Sequence, residues 1–251
     1  MLKLFWKNFK IAFDNIILSA PLIIFVSIIS CYLNFAKDFE NTVVKAVFTI
    51  ITTVILISAF FCVWFYIVKK IIKLTGKEFV YNNDRTNALK EILKSIPKGF
   101  SKYFLPFIGI TSTAMLFFLI CYNFVDYNLP TKIVDLFEYF SKEHIDFKSI
   151  IIFISISFLS FWGLLWIPEV IYGELNPFKA LVYSIKKIFI TLPQSILLYL
   201  YIYILFTIMH YAVVLLMSNP FLYFIVLLLY YYFTVYVTTL LFRYYEEKFL
   251  K

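Results

Sequence analysis

FLYFIVLLLYYYFTVYVTTLL, residues 221–241, carries no charged side chain, and neither does ITTVILISAFFCVWFYIV, residues 51–68. Each supplies close to the ~20 apolar residues needed to cross ~30 Å of hydrocarbon at 1.5 Å per residue. Neither alternates apolar with polar residues as a membrane strand does, and both far exceed the ~10 residues of such a strand. The reading is therefore helical. Only Met217 to Pro220 separate the first stretch from the apolar run before it, and Asn219-Pro220 ends a helix. Residues 194–242 thus read as a helical hairpin.

Composition extends this reading to the whole chain. Hydrophobic residues make up 63% of 251 positions, with a mean hydropathy of +0.87, against roughly half apolar in a soluble domain. A soluble chain of this length cannot hide that excess, because its surface still requires a polar skin. Apolar runs fall at about 17–36, 44–68, 103–124, 149–172, 194–217 and 220–242, which predicts an all-α, polytopic membrane protein with six transmembrane helices in a single domain, 1–251.

Basic residues set the expected orientation. Segments 1–16, 69–102, 169–187 and 243–251 hold 18 of the 23 lysines and arginines, nine of them in 69–102. The 125–148 connector is net acidic, with Asp126, Asp135, Glu138, Glu143 and Asp146. Positive charge marks the cytoplasmic side, so a multi-pass cell-membrane protein with both termini cytoplasmic is expected. Lys3, Lys7 and Lys10 resemble the start of a signal peptide, but Asp14 interrupts the apolar stretch and no A-x-A site follows, so the first span is expected to be retained. Cys31, Cys62 and Cys121 lie within spans, odd in number and without C-x-x-C. They read as buried apolar thiols, not as a disulfide frame or a metal site.

The chain repeats itself. Ala12-x3-Ile16-x2-Ser19-x-Pro21 recurs as Ala88-x3-Ile92-x2-Ser95-x-Pro97 and, more loosely, as Ser184-x3-Ile188-x2-Thr191-x-Pro193. Each proline follows a segment that forms an amphipathic helix and precedes two spans. In the middle copy Ala88, Leu89, Ile92, Leu93 and Ile96 share one face while Lys90, Lys94 and Lys98 form a stripe on another. In the third, Asn176-Pro177 reads as a cap followed by proline at the first helical position. In the first, Trp6, Phe9, Phe13 and Ile16 oppose Lys3, Lys7, Lys10 and Asp14. Helices of this kind lie in the interface, apolar side toward acyl chains and lysines toward headgroups. The expected fold is three hairpin units, about 1–70, 71–172 and 173–251, each led by an amphipathic interfacial helix. In the first unit Leu22 to Ala36 is too short to cross alone, so residues 16–21 are expected to enter the membrane as well.

The stretch Gly173-Glu174-Leu175-Asn176-Pro177-Phe178-Lys179-Ala180-Leu181-Val182-Tyr183-Ser184, its echo at Asn87-Ala88-Leu89 and the closing Phe242-Arg243-Tyr244-Tyr245-Glu246 resemble bacterial six-span proteins related to the membrane domain of glycerophosphoryl diester phosphodiesterases. The resemblance covers most of the chain and implies a six-helix bacterial membrane domain. It transfers no catalytic residue, and the phosphodiesterase activity is not carried over.

Ionisable groups inside spans are costly and so mark sites. Two candidates for an intramembrane polar site stand out. His210, in the fifth span near Tyr201, Tyr203 and Tyr211, reads as a proton relay or ligand, or more simply as a neutral histidine bonded to a neighbouring helix. Glu169, after Pro168, either faces an internal vestibule or, as favoured, lies at the interface. Trp162 and Trp166 read as anchors or packing groups, and His144 stands in the outer loop with no second histidine nearby. Metal spacings, a nucleotide-binding glycine loop and G-x-S-x-G are absent, so no cofactor is implied. With five glycines and no G-x-x-x-G, bulky side chains are expected to do the packing, with Pro106, Gly109 and Pro168 as places where spans break.

The basic surface is the clearest functional feature. Lys69, Lys70, Lys73, Lys90, Lys94, Lys98, Lys186 and Lys187 are candidate contacts for anionic lipid headgroups, each contributing about 1 kcal/mol near an anionic leaflet. The same charges also suffice simply to set topology, the simpler of the two readings. A charge of +8 placed against the membrane does not point to nucleic acid. The expected function is a non-enzymatic membrane module, a scaffold, accessory subunit or lipid-interacting protein whose partners are membrane lipids and a membrane protein. A small permease or lipid-transporter subunit, with a path between the three units, is the alternative. No nucleophile–base pair supports an intramembrane enzyme.

Overall fold

A break in one apolar helix sets the geometry of the molecule. The computed structural model describes residues 2–14, 19–37, 43–74, 82–128, 147–173, 175–216 and 218–250. Phe147–Trp162 forms α5, and after Gly163, Leu164 and Leu165 the chain resumes as the short α6, Trp166–Tyr172. The break is bridged by Leu164 N–H to the Phe161 carbonyl and Trp166 N–H to the Gly163 carbonyl. The span breaks within a turn of Pro168, as expected, and Pro168 itself sits in the first turn of α6, where its missing N–H costs no helical bond. The other expected break is absent, because Asn82–Asn128 is one continuous helix, α4, through both Pro97 and Pro106. Pro97 and Leu93 are exposed, so the carbonyl that this proline leaves unpaired faces outward.

Before these elements come α1, Leu2–Asp14, α2, Ser19–Lys37, and α3, Val43–Leu74. After them come α7, Pro177–Ile190, α8, Leu192–Leu216, and α9, Pro220–Tyr245, which widens into a π-helical turn over Glu246–Leu250. The described residues contain no strand. Among them, Val47–Lys73, Ile154–Tyr172, Leu192–Leu216 and Pro220–Leu250 are long and apolar enough to cross a membrane, while Ser19–Asn34 is a shorter apolar helix. The Asn219 side chain caps α9 by accepting from the N–H groups of Phe221 and Leu222 at 3.1 and 3.2 Å, and Asn176 caps α7 in the same way. Both caps are followed by proline at the first helical position.

α9 is the spine. Its first half carries exposed Phe221, Phe224, Ile225 and Leu229, whereas from Tyr232 onward it is mostly buried against α1, α2, α3, α6 and α8. α1 runs antiparallel along this buried half: the Tyr236 hydroxyl donates to the Phe5 carbonyl and the Tyr232 hydroxyl to the Phe9 carbonyl, both at 3.3 Å. Leu4, Asn8 and Ala12 form its buried stripe, while Trp6 and Phe13 are exposed. α1 is thus docked on protein along one face and bares aromatic groups on the other. The side chains of Lys3, Lys7, Lys10 and Asp14 lie outside the described residues.

The interior is aromatic, as the scarcity of glycine implies. Phe25 stacks on Phe60 at 4.0 Å between α2 and α3, and Phe65 stacks on both Phe107 and Phe242, joining α3 to α4 and α9. Two glycines nevertheless set close approaches. A Cβ at Gly99 would stand 2.8 Å from Tyr66 Cδ1, and one at Gly109 would stand 2.6 Å from Pro177 Cγ. A single glycine thus receives a side chain, which is a different device from two backbones meeting along G-x-x-x-G. Cys62 is buried as expected, but Cys31 is exposed on α2; Cys121's side chain lies outside the described residues.

Candidate functional site

α6 has only seven residues, so its last carbonyls have no partners within the helix. Side chains from four other elements supply them or gather around them. Lys69 Nζ on α3 and the Tyr103 hydroxyl on α4 both donate to the Ile171 carbonyl, at 2.5 and 3.0 Å. The Lys69 ammonium also stands 4.6 Å from the centre of the Tyr172 ring. A cation at this position is favoured by the negative end of the helix dipole. Tyr172 in turn donates to Glu246 Oε1 at 2.6 Å and stacks on Tyr245 at 5.5 Å.

One turn earlier on α6, the Glu169 carboxylate points into the bundle. Its Oε2 accepts from Lys187 Nζ at 2.6 Å and from the Tyr245 hydroxyl at 2.7 Å. Lys187 also donates to the Tyr245 oxygen at 2.5 Å, closing a triangle between α6, α7 and α9. The side chains of the ion pair are 5% exposed for Glu169 and 24% for Lys187, so the carboxylate depends on its partners while the ammonium still reaches solvent. The break at 163–165 resets α6 and so directs Glu169 inward. Trp166 Nε1, donating to the Pro177 carbonyl at 2.7 Å, fixes α6 against the start of α7. Nearby, the Thr191 hydroxyl donates to the Lys187 carbonyl at 2.9 Å and stands 3.0 Å from Ser195, which is 3.3 Å from the Tyr244 hydroxyl.

This arrangement revises several expectations. Glu169, favoured as interfacial, is buried and ion-paired inside the protein. Lys187, read as a lipid contact, commits its ammonium to Glu169 and Tyr245, and Lys69, half-buried, gives one donor to the Ile171 carbonyl. Lys70 is half-buried and not free. Lys73, Lys90, Lys94, Lys98 and Lys186 are exposed. The reason is angular: Lys186 and Lys187 are ~100° apart on one helix, and only Lys187 shares the side of buried Ala180, Ser184 and Ile188. Trp166 is buried, and Trp162 is half-buried against Phe161 and the exposed Phe189, so both act as packing groups.

His210 is not brought to Glu169. It is exposed on α8 beside Tyr211, about 22 Å of helix from Ser195, which meets the terminal end of α9. His144 lies outside the described residues. Of the signature prolines, Pro21 and Pro193 stand in the first turns of α2 and α8, whereas Pro97 lies within α4. Tyr103, Tyr172, Tyr245 and Glu246 were not singled out by sequence as a site. The signal for Tyr172, Tyr245 and Glu246 lay in Ile171-Tyr172-Gly173 and Tyr244-Tyr245-Glu246, polar groups at the ends of long apolar runs. No family model matches the chain, and neither a curated protein nor a solved structure matches it.

Proposed function

We propose that the chain is a non-enzymatic integral membrane module of a bacterial cytoplasmic membrane, a scaffold or accessory protein that engages anionic lipid. In this reading it crosses six times, with 17–36 and 103–124 adding two crossings to the four long apolar helices, and both termini lie in the cytoplasm. The spans form three hairpin units, about 1–70, 71–172 and 173–251, led by α1, the first half of α4, and α7. The resemblance to the membrane domain of glycerophosphoryl diester phosphodiesterases supports the same architecture and a bacterial source.

The observation that carries the reading is the sorting of the lysines. Those turned inward brace the helix ends, and those turned outward stand beside exposed apolar groups. On α4, Lys90, Lys94 and Lys98 recur at four-residue spacing next to exposed Leu93 and Phe100. On α7, Lys179 and Lys186 are exposed beside Phe178, Val182 and Phe189. An apolar stripe flanked by ammonium groups suits the boundary between acyl chains and anionic headgroups. A path between the units, as a permease requires, must first part the Glu169–Lys187–Tyr245 triangle that joins the second unit to the third.

The test is lipid retention. The protein purified in mild detergent is offered anionic and zwitterionic lipids in equal amount, and bound lipid is measured by mass spectrometry. Changing Lys90, Lys94 and Lys98 to Gln is expected to weaken anionic binding by up to about 150-fold, from about 1 kcal/mol per lysine. Unchanged retention in the triple variant would remove the support for this reading.

A further inference from the structure

We propose that Lys69, Lys73 and Lys102 form a discrete site for the phosphomonoester headgroup of a membrane lipid, where α3 and α4 meet the end of α6. The proposal rests on the lipid-contacting reading above and names the headgroup. Lys69 and Lys73 are one turn apart on α3. Lys102 precedes Tyr103, whose hydroxyl shares the Ile171 carbonyl with Lys69, and the Lys102 ammonium stands 5.4 Å from the Tyr103 ring centre. Both Lys73 and Lys102 lie near enough to repel the Lys69 charge, and Glu246 is the carboxylate that attracts it. Among the described residues no carboxylate is in ion-pair contact with any of the three lysines. Glu246 itself is engaged by Tyr172.

Among the described residues, three ammonium groups against one carboxylate leave two positive charges unmatched. A phosphomonoester, at roughly −1.5 to −2 near neutral pH, matches that surplus, whereas the phosphodiester of an ordinary anionic lipid brings only one negative charge. Donors are also in reserve. Lys69 spends one of its three N–H groups on the Ile171 carbonyl, and Lys73 and Lys102 are exposed. The lipid tail has a place as well: Leu105, one turn beyond Lys102, is strongly exposed. This site differs from the Lys90–Lys98 stripe, where the lysines recur at four-residue spacing along one exposed face of a single helix.

The full-length protein, in detergent, is offered an equal mixture of phosphatidic acid and phosphatidylglycerol, and both bound lipids are quantified by mass spectrometry. The wild type is expected to retain phosphatidic acid at least tenfold over phosphatidylglycerol. Lys73→Gln with Lys102→Gln is expected to lower phosphatidic acid retention about 30-fold, and Lys73→Arg with Lys102→Arg to restore most of it. Lys90→Gln with Lys94→Gln and Lys98→Gln is expected to reduce both lipids and leave their ratio unchanged. Equal retention of the two lipids by the wild type would overturn the headgroup assignment while leaving the general lipid reading standing; loss of the ratio in the 90–98 variant would place the site elsewhere. Millimolar inorganic phosphate that displaces the lipid only when Lys73 and Lys102 are intact would overturn the lipid source and reassign the site to free phosphate.

Discussion

Removing one partner from the Glu169–Lys187 pair should cost very different amounts according to which partner goes. Lys187→Met leaves a carboxylate that is 5% exposed with only the Tyr245 hydroxyl to hold it. Stranding a buried charge in this way costs about 3–5 kcal/mol, and the lower end applies because one donor survives. Glu169→Gln leaves instead an ammonium that is already 24% exposed, on a flexible four-carbon stem that swings it to solvent. The new amide still accepts from Tyr245, so the loss is about 1–2 kcal/mol. In the double variant no charge is stranded, and its cost should fall close to that of Glu169→Gln alone. At roughly 2–4 °C per kcal/mol for a chain of this size, Lys187→Met should lower the apparent Tm by about 6–12 °C and the other two variants by about 2–8 °C. The assay is the fraction surviving as a monodisperse peak after heating in detergent, read for all four corners of the cycle. Equal losses in the two single variants, or a double-variant loss equal to their sum, would refute the reasoning, because either result means that the triangle is not a coupled unit.

Other consequences are open to direct measurement. Gly99→Val should lower stability by about 1–3 kcal/mol through the clash with Tyr66, and pairing it with Tyr66→Ala should recover part of the loss. Asn8 is fully buried with neither amide atom bonded, so Asn8→Leu is expected to be neutral or stabilising by about 1 kcal/mol, as heating curves will show. Tyr236→Phe removes hydroxyl contacts to the Phe5 carbonyl and Tyr201 and should cost about 1–2 kcal/mol, with increased protease cleavage within α1. A cysteine placed at Glu138 should react with an impermeant maleimide added outside intact cells, and one at Lys248 should react only after lysis; the reverse pattern would invert the proposed topology.

The helical class was legible because the chain contains runs such as 51–68 and 221–241 whose length and lack of charge leave no alternative in lipid. The caps were legible too, since Asn176-Pro177 and Asn219-Pro220 act through bonds that span only two or three residues. What sequence did not disclose was direction. Whether a lysine faces lipid headgroups or a carboxylate is settled by the rotation of its helix. α7 is held by Trp166 donating to the Pro177 carbonyl, 11 residues away across a turn. Pro168 marked the broken span but not the residue, since a proline obstructs the carbonyl four positions earlier and the turn itself falls at 163–165. Glu169 was visible as a residue but not as an ion pair, because Lys187 and Tyr245 come from two later helices.

The placement of these polar groups bears on how the three proposed units hold together. In lipid, apolar surface gives little drive for helix association, so packing and polar contacts must supply it. The contacts found at the end of α6 come from α3 in the first unit, α4 and α6 in the second, and α7 and α9 in the third. Lys69 reaches the Ile171 carbonyl, and Lys187 and Tyr245 reach Glu169. Each unit therefore contributes to one cluster, and α6 is the element that all of them touch. A rearrangement of one unit against another must either carry α6 with it or break a charge-assisted bond at its end. The Lys69 site is the more adaptable of the two, since the ammonium keeps two donors for a headgroup while it holds the Ile171 carbonyl. Binding there would hold the first unit more tightly to α6, as the Glu169 triangle holds the second to the third. Lipid occupancy and the separation of α3 from α6 should thus change together, and a spin-label distance between positions 70 and 175 that is unaffected by phosphatidic acid would break that link.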